Sequence, residues 1–511
     1  MYKTLKQNNY MATTEFIAAI ELGSSKITGI AGKRHGDGSM EILSYAEEKS
    51  NGAIRKGVVY NLDKTAQYLT NIINQMEGDL SESIGKVYVG LGGQSTHTVK
   101  NQVCRDLEHE SLITDELLEE LINEDRNFPY KDMELQDVFP QEYKVDNVEQ
   151  KEPTGIKGNH LEGRFMNVVS RISLKKNILQ CFERAKINVA GILLSPVVCA
   201  NVVLTESEKR SGCVLVDFGA DSTTVTIYKN NILRFLSVIP LGGDTITKDI
   251  ATLNIMEDEA EEIKHLYGNT QLEEYDEENE GEEPTFKLES DGRSFKISQL
   301  NELVQARAEE IVANVANQIQ QAGYNENRLI SGMIITGGGS NLRNIDTLIR
   351  KKSGFERIRF ARHIQERIES DSNVITKDGT QATLFGLLFA GKENCIQSDE
   401  PKEPVQENEP IEATGTAEGV QPESNSRTAD NEPVPVHETT QEDLFRNDEE
   451  LKKLEGKEAQ KKAEEEKQRQ AQLEKEKEEK KKKKKKKMNI FSQFSKKAMD
   501  FFDDNGQDLK D

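Results

Sequence analysis

Three short apolar runs, each ending in a turn of glycine and small polar residues, lie between Phe16 and Leu342 and constrain the fold of this chain more than any other feature. The first reads FIAAIELGSSKITGIAG from Phe16 to Gly32, two β-rich runs about a Gly-Ser-Ser turn, and predicts a hairpin. The same grammar returns as CVLVDFGADSTTVTIY from Cys213 to Tyr228, and its strand-then-glycine part as MIITGGGSNL from Met333. Between them, Thr65 to Met76 and Leu300 to Ala322 have helical periodicity; in the second, Leu303, Val304, Ile311, Val312, Val315 and Ile319 fall near one face. Strands alternating with helices predict an α/β head.

The head does not account for the whole chain. Of 511 residues only 35% are hydrophobic, too few for one compact globule, and the composition changes abruptly after Gly391. From Asp399 to Glu450 the sequence is rich in Glu, Pro, Thr, Ser and Asn with scarcely any aliphatics, so disorder is expected. Leu451 to Lys487 is a Glu/Lys/Gln/Ala stretch without a heptad seam, ending in the unbroken lysine run Lys480 to Lys487. Apolarity then returns in MNIFSQFSKKAMDFFDDNGQDLKD, with four of the chain's 18 phenylalanines. The net charge of -23 excludes a generally basic nucleic-acid coat. Five cysteines without CxxC spacing imply neither a disulfide framework nor a zinc site, and fit reduced thiols in a cytosol. No run approaches the ~18 apolar residues of a spanning helix, and the first residues lack a signal-peptide core. Met1 and Met11 both stand as candidate starts, and the acidic QLEEYDEENEGEEP, Gln271 to Pro284, reads as a solvated surface insertion.

Turns of this kind expose consecutive backbone N–H groups that suit phosphate oxygens. Glu21-Leu22-Gly23-Ser24-Ser25-Lys26 and Asp217-Phe218-Gly219-Ala220-Asp221-Ser222-Thr223 are candidates for two such loops facing each other. Each begins with an acid suited to hold magnesium through water, though Asp217 alone equally suits a strand-end cap, and Lys26 could offset phosphate charge. The third loop, Thr336-Gly337-Gly338-Gly339-Ser340, allows close approach of a flat group because no Cβ intervenes. None is a Walker loop, and no GxGxxG follows the first strand.

In order and spacing the three loops resemble the nucleotide signature of the actin-like ATPase superfamily. Local stretches are similar to the FtsA family of bacterial cell-division proteins: Arg55-Lys56-Gly57-Val58-Val59, Val138-Phe139-Pro140-Gln141-Glu142-Tyr143, Pro240-Leu241-Gly242-Gly243-Asp244 with Thr247, Glu261-Glu262-Ile263-Lys264, and Ala382-Thr383-Leu384-Phe385-Gly386-Leu387. The resemblance implies that Gly23, Ser24, Ser25 and Lys26 form one phosphate loop and Asp217, Gly219, Ser222 and Thr223 the other. It also implies that Glu261 and Lys264 reach ribose and adenine, that Gly337, Gly338, Gly339 and Ser340 meet the adenosine, and that Asp217 holds Mg2+ of bound ATP through water. The family usually has two glycines where this chain has Ala220 and Asp221, which puts a negative charge beside the phosphates or an extra metal ligand there. Hydrolysis is expected to be slow, a weak ATPase at most.

The implied fold is an α/β head of two lobes and four subdomains. Subdomain 1A takes 14–85 and 172–208, 1C 86–171, 2A 209–248 and 324–392, and 2B 249–323. Residues 1–13 are expected to be disordered, 393–450 an acidic disordered linker, 451–487 a charged segment and 488–503 an amphipathic helix. Implied partners are the FtsZ C-terminal tail, docking on 2B through Arg293, Asn301 and Arg307, other copies of the chain in a filament, and later division proteins through 1C. At 100° per residue Ile490, Phe491, Phe494, Ala498, Phe501 and Phe502 share an arc of roughly 120°, with Lys496 and Lys497 outside it. Beside a run of lysines this describes an interfacial helix on anionic membrane lipid rather than a nucleic-acid arm. The expected location is the cytoplasmic face of the bacterial membrane at the division site. The alternatives on the same fold are a chaperone-type ATPase or a small-molecule kinase; a chaperone needs a peptide-binding domain where the sequence is disordered.

Overall fold

The structure, a computed structural model, describes residues 15–272, 283–370 and 374–397. The expectations for 1–13, most of the acidic stretch, nearly all of the linker, the charged segment and the amphipathic helix lie outside the described residues.

Strands β1 (Glu15–Leu22), β2 (Lys26–Arg34) and β3 (Met40–Lys49) form an antiparallel meander, so the first Gly-Ser-Ser turn closes a hairpin with Leu22 opposite Ile27. A short ribbon, β4 (Ile54–Arg55) and β5 (Val58–Val59), leads into helix α1 (Leu62–Leu80). The Asn61 side chain caps α1 by accepting from Lys64 N–H, and Thr65, Leu69, Ile72 and Met76 line its buried face. β6 (Lys86–Leu91) then pairs parallel to β1. An insertion that contains α2 (Asp115–Arg126) follows, and after it come α3 (Ile172–Ala185), β11 (Asn188–Leu194) parallel to β6, and α4 (Ser195–Val203), then the capped short helix α5 (Glu206–Ser211).

The second half repeats this plan. β12 (Cys213–Phe218), β13 (Thr223–Lys229) and β14 (Ile232–Ile239) form a meander with Phe218 opposite Thr223. Next come α6 (Gly243–Ala251), α7 (Glu257–Tyr267), the hairpin β15 (Thr285–Lys287) and β16 (Ser294–Lys296), and α8 (Ile297–Gln321). In α8 Leu300, Val304, Ile311, Val312, Val315 and Ile319 are buried, and Leu303 sits half-buried at the stripe's edge. β17 (Met333–Thr336) lies parallel to β12, and β18 (Ile358–Phe360), after α9 (Ile345–Ser353), parallel to β17. Thus β11-β6-β1-β2-β3 and β18-β17-β12-β13-β14 have one order and one set of directions, with β19 (Ile368–Glu369) added to the edge of the first sheet. This duplicated arrangement is the actin-like fold expected from the sequence.

β1 and β12 are almost wholly buried because helices cover both faces of each sheet, which is why they read as continuous apolar runs rather than alternating ones. Against β1 packs α10 (Ala382–Ala390); a Cβ on its Gly386 would stand 2.5 Å from the Val198 carbonyl, so glycine is what lets α10 and α4 touch.

The insertion consists of β7 (His97–Leu112), α2, β8 (Met133–Val145), β9 (Val148–Gln150) and β10 (Lys157–Arg171), with its own core of Val103, Ile113, Leu121, Val138, Val145, Leu161 and Phe165. Lys86–Leu91 belongs to the first sheet, so the inserted module begins after it and not at residue 86. The chain leaves the first repeat to form it, yet its strands extend the second sheet through the pair Ser237 and His97. Thr98 Oγ1 donates to the Leu236 carbonyl and accepts from its N–H, and Gln141 of the FPQEY stretch donates to the Leu233 carbonyl while accepting from Arg234. FPQEY therefore acts as the clasp that seats the module on β14.

Candidate functional site

The ends of β1, β12 and β17 converge on a cleft of about 410 Å³. Its wall includes Gly23, Ser24, Ser25, Lys26, Asp217, Gly219, Ser222, Glu261, Lys264, Gly337, Gly338 and Gly339, so the structure gathers these twelve sequence candidates in one place. Two others stand behind the wall. The buried hydroxyl of Thr223 donates to the Leu241 carbonyl at 2.9 Å, and that of Ser340 to the Gly337 carbonyl at 2.7 Å, so both hold loops rather than face the cleft.

Each loop is tight for a stated reason. A Cβ on Gly23 would lie 2.5 Å from the Lys26 carbonyl, and one on Gly337, where φ is +81°, 2.3 Å from Asp217 Oδ1. Gly242 packs on the second loop, its would-be Cβ 2.4 Å from the Ala220 carbonyl, and this lets Gly243 and Asp244 N–H at the start of α6 bond Gly219 and Ala220 carbonyls at 3.0 and 2.8 Å. The first residues of α4, α6 and α10 all line the cleft, so three helix N-termini favour negative charge there.

Glu21 and Asp217 occupy equivalent places in the two repeats, one residue before the strand end, and meet at the cleft floor. Burial, with the Asp217 charge adding to it, pushes the Glu21 carboxyl up to about 8; burial pushes Asp217 up to about 6. Lys26 and the Leu384 amide of α10 only partly offset this for Glu21. A carboxyl whose folded pKa is raised binds its proton more tightly in the folded state, so stability falls as pH rises from the ordinary value, 4.5 for Glu21 and 3.8 for Asp217, to the folded one. Without nucleotide or divalent metal, Tm should therefore fall by several degrees between pH 5 and pH 8, an effect on the order of a few kcal/mol. Glu21→Gln should flatten most of that slope in a calorimetric scan, and an unchanged slope would place the titration elsewhere.

Lys26 Nζ pairs with Glu47 at 2.8 Å at the cleft edge. Lys264, almost wholly buried, bonds Glu261 at 2.6 Å, Thr247 at 2.9 Å and the Gly243 carbonyl at 3.2 Å. Burial alone would raise Glu261, but His265, Lys264 and Thr247 hold its carboxyl down at about 2. The Glu-x-x-Lys pair is thus a rigid strut between α7 and α6 that presents its flank to the cleft.

Asp221 brings negative charge near the cleft, where, after burial, it is a cause of the raised Asp244 carboxyl at the start of α6. The Asp221 carboxylate is not part of the cleft wall; it accepts the Lys56 N–H of the β4–β5 turn at 3.3 Å and lies 3.7 Å from Lys248 Nζ, linking a loop of one repeat to a turn of the other. Asp221→Ala should cost up to about 1 kcal/mol, read as a lower urea midpoint, because a mostly buried charged acceptor is lost from an N–H that water can still reach. An unchanged midpoint would show that the link contributes nothing.

Sequence reasoning missed part of the wall, namely Gly92, Gly93, Ser195, Asn341, Arg343 and the loop Gly379-Thr380-Gln381. The available signal was Asp378-Gly379 before an apolar helix: Asp378 caps Thr380 N–H at 2.9 Å and Gly379 has φ +81°. Away from the cleft, the three candidates for peptide docking are largely spent internally. Asn301 is buried and accepts Asn269 N–H at 2.8 Å; Arg307 forks onto Asp249 at 2.6 and 3.0 Å; Arg293, more exposed, donates to the Asn254 and Leu253 carbonyls.

The sequence profile of "Cell division protein FtsA" matches residues 214–381, and that of the "SHS2 domain inserted in FTSA" matches 93–169, the inserted module. The FtsA cell division protein of Porphyromonas gingivalis is 33% identical over 382 residues, 74% of this chain and 78% of the relative. That of Bacillus subtilis is 26% identical over 410 residues, 78% of this chain and 89% of the relative. Among solved structures, a chain of the PilM-PilN type IV pilus biogenesis complex superposes with TM-score 0.51 at 15% identity, covering 73% of this chain and 97% of that one, a likeness of fold. With the duplicated sheets, the inserted module and the glycine-lined cleft in place, these matches show that the chain belongs to the FtsA family of cell division proteins.

Proposed function

We propose that the chain binds ATP with magnesium in the cleft, polymerises through its head, and tethers FtsZ to the cytoplasmic membrane at the division site, where it recruits later division proteins through the inserted module. The observation that carries this reading is the cleft itself: two symmetry-equivalent carboxylates beneath three glycine loops and three helix N-termini, in a chain of this family. The residues fit a magnesium nucleotide. Glu21 and Asp217 are half-buried acids without a full complement of counter-charge, and a hydrated divalent cation would supply it. Gly23, Ser24, Ser25 and Lys26 with Gly219 and Ser222 would surround the phosphates, Gly337 to Gly339 the adenosine, and Glu261 with Lys264 would border the ribose and adenine. Turnover is expected to be slow, because in this reading Glu21 and Asp217, the acids of the cleft floor, are committed to the hydrated metal rather than free to act as a base.

FtsZ tail docking is assigned to 249–323. Arg293 is the most exposed of the three candidates there, with its side chain 43% exposed, while Asn301 and Arg307 hold the surface from within. Co-sedimentation of FtsZ with anionic vesicles tests the whole reading: the intact chain should bring FtsZ down, and a chain lacking 488–511 should leave both in the supernatant. FtsZ pelleting equally without that segment would overturn the tether.

A further inference from the structure

We propose that Cys104, His160 and Glu162 of the inserted module form a binding site for a zinc-class divalent cation. The cysteine sulfur, a ring nitrogen of the histidine and a carboxylate oxygen of the glutamate lie within 4.8 Å of one another. The strand register makes this proximity a property of the fold. β7 and β10 run antiparallel with Cys104 directly opposite Glu162 and Asp106 opposite His160, and residues two apart on a strand share a face. The β7–β10 register shifts between Gly158 and His160, so the cluster begins at an irregularity in the ladder.

The chemistry of the three donors selects the ion. Thiolate with imidazole favours zinc-class metals over magnesium or calcium, and one thiolate plus one carboxylate balances a double positive charge. Asp106 Oδ1 accepts the Nδ1 proton of His160 at 2.7 Å, which fixes the tautomer with Nε2 as the lone-pair donor and makes Asp106 a positioning residue. Glu162 is mostly buried, and its contacts with Arg164 at 2.8 Å and Lys144 at 3.8 Å are both made by Oε1, so Oε2 can turn to a metal. Cys104 is exposed and receives only a weak donor, Gln102 Nε2 at 3.4 Å, so its sulfur is accessible from solution; the other four cysteines are buried. Three protein ligands leave a fourth position to water, and the bound ion would clip β7 to β10 on the outer part of the module.

The test uses the full chain stripped with a chelator, with Co2+ as the spectroscopic probe and Zn2+ as the competitor. The expected result is one equivalent of Co2+ with a thiolate-to-cobalt charge-transfer band in the near ultraviolet, displaced by Zn2+. Cobalt in the nucleotide cleft, held by oxygen ligands, gives no such band. Cys104→Ser should remove the band, His160→Gln should lower Zn2+ affinity, and Asp106→Asn should lower it about 10–100-fold, all with unchanged circular dichroism. Absence of the band in the unaltered chain, or its persistence in Cys104→Ser, would overturn the site.

Discussion

Gly338→Val should abolish nucleotide binding while leaving the fold intact, a loss of at least ~100-fold in affinity, or about 3 kcal/mol. A Cβ at 338 meets only Thr380 Cγ2, at 3.8 Å, so the protein has room for the side chain, and that room is the cleft. The backbone at 338 is not among the glycines with positive φ, so a β-branched residue adds no backbone strain. The neighbouring Gly337 is a poor choice for the same experiment. Its φ of +81° and a would-be Cβ 2.3 Å from Asp217 Oδ1 and 2.6 Å from the Phe218 carbonyl mean that any larger residue there displaces the second loop. Calorimetry with Mg-ATP on Gly338→Val, beside circular dichroism, separates exclusion of ligand from misfolding. Equal affinity in the two proteins would remove the nucleotide from this cleft.

The elements that were legible in the sequence share one property: their cause is local. Burial on both faces makes β1 and β12 continuous apolar runs, and a turn in which a Cβ would stand 2.5 Å (at Gly23) or 2.8 Å (at Gly219) from a carbonyl oxygen demands glycine, so Glu21 to Lys26 and Asp217 to Ser222 announce themselves. Helices α1 and α8 were equally readable from their buried stripes. What escaped depends on residues far apart in the chain. Asp221 reads only as an acid beside phosphates until Lys56, 165 residues away, is seen to offer its N–H. Asn301 and Arg307 read as surface groups because nothing in the helix sequence shows Asn269 and Asp249 arriving from elsewhere. Likewise the inserted module interrupts the first repeat, but joins the second sheet through one pair, Ser237 and His97, which no periodicity encodes.

The second large effect lies in the segment after the head. Phe494→Glu with Phe501→Glu should release the chain from vesicles at any salt concentration. In the proposed tether, partly burying Ile490, Phe491, Phe494, Ala498, Phe501 and Phe502 would contribute several kcal/mol, from ~1.5–3 for each large side chain if fully buried, less what shallow insertion and helix ordering remove. The lysines Lys480 to Lys487, with Lys496 and Lys497, add roughly 1 kcal/mol each on anionic lipid, with diminishing returns as the surface is neutralised. The two terms respond differently. Salt screens the lysines over about a Debye length and leaves apolar burial untouched, so raising salt should weaken the unaltered chain on anionic vesicles without releasing it. Two glutamates on the apolar arc instead remove the burial itself. In the proposed tether one such segment would bind weakly and a filament presenting many copies would gain by avidity, so the loss should be steepest under conditions that favour polymerisation. A double variant that still floats with vesicles in high salt would show that neither the apolar face nor the lysines provide the anchor; one that floats only in low salt would assign it to the lysine run.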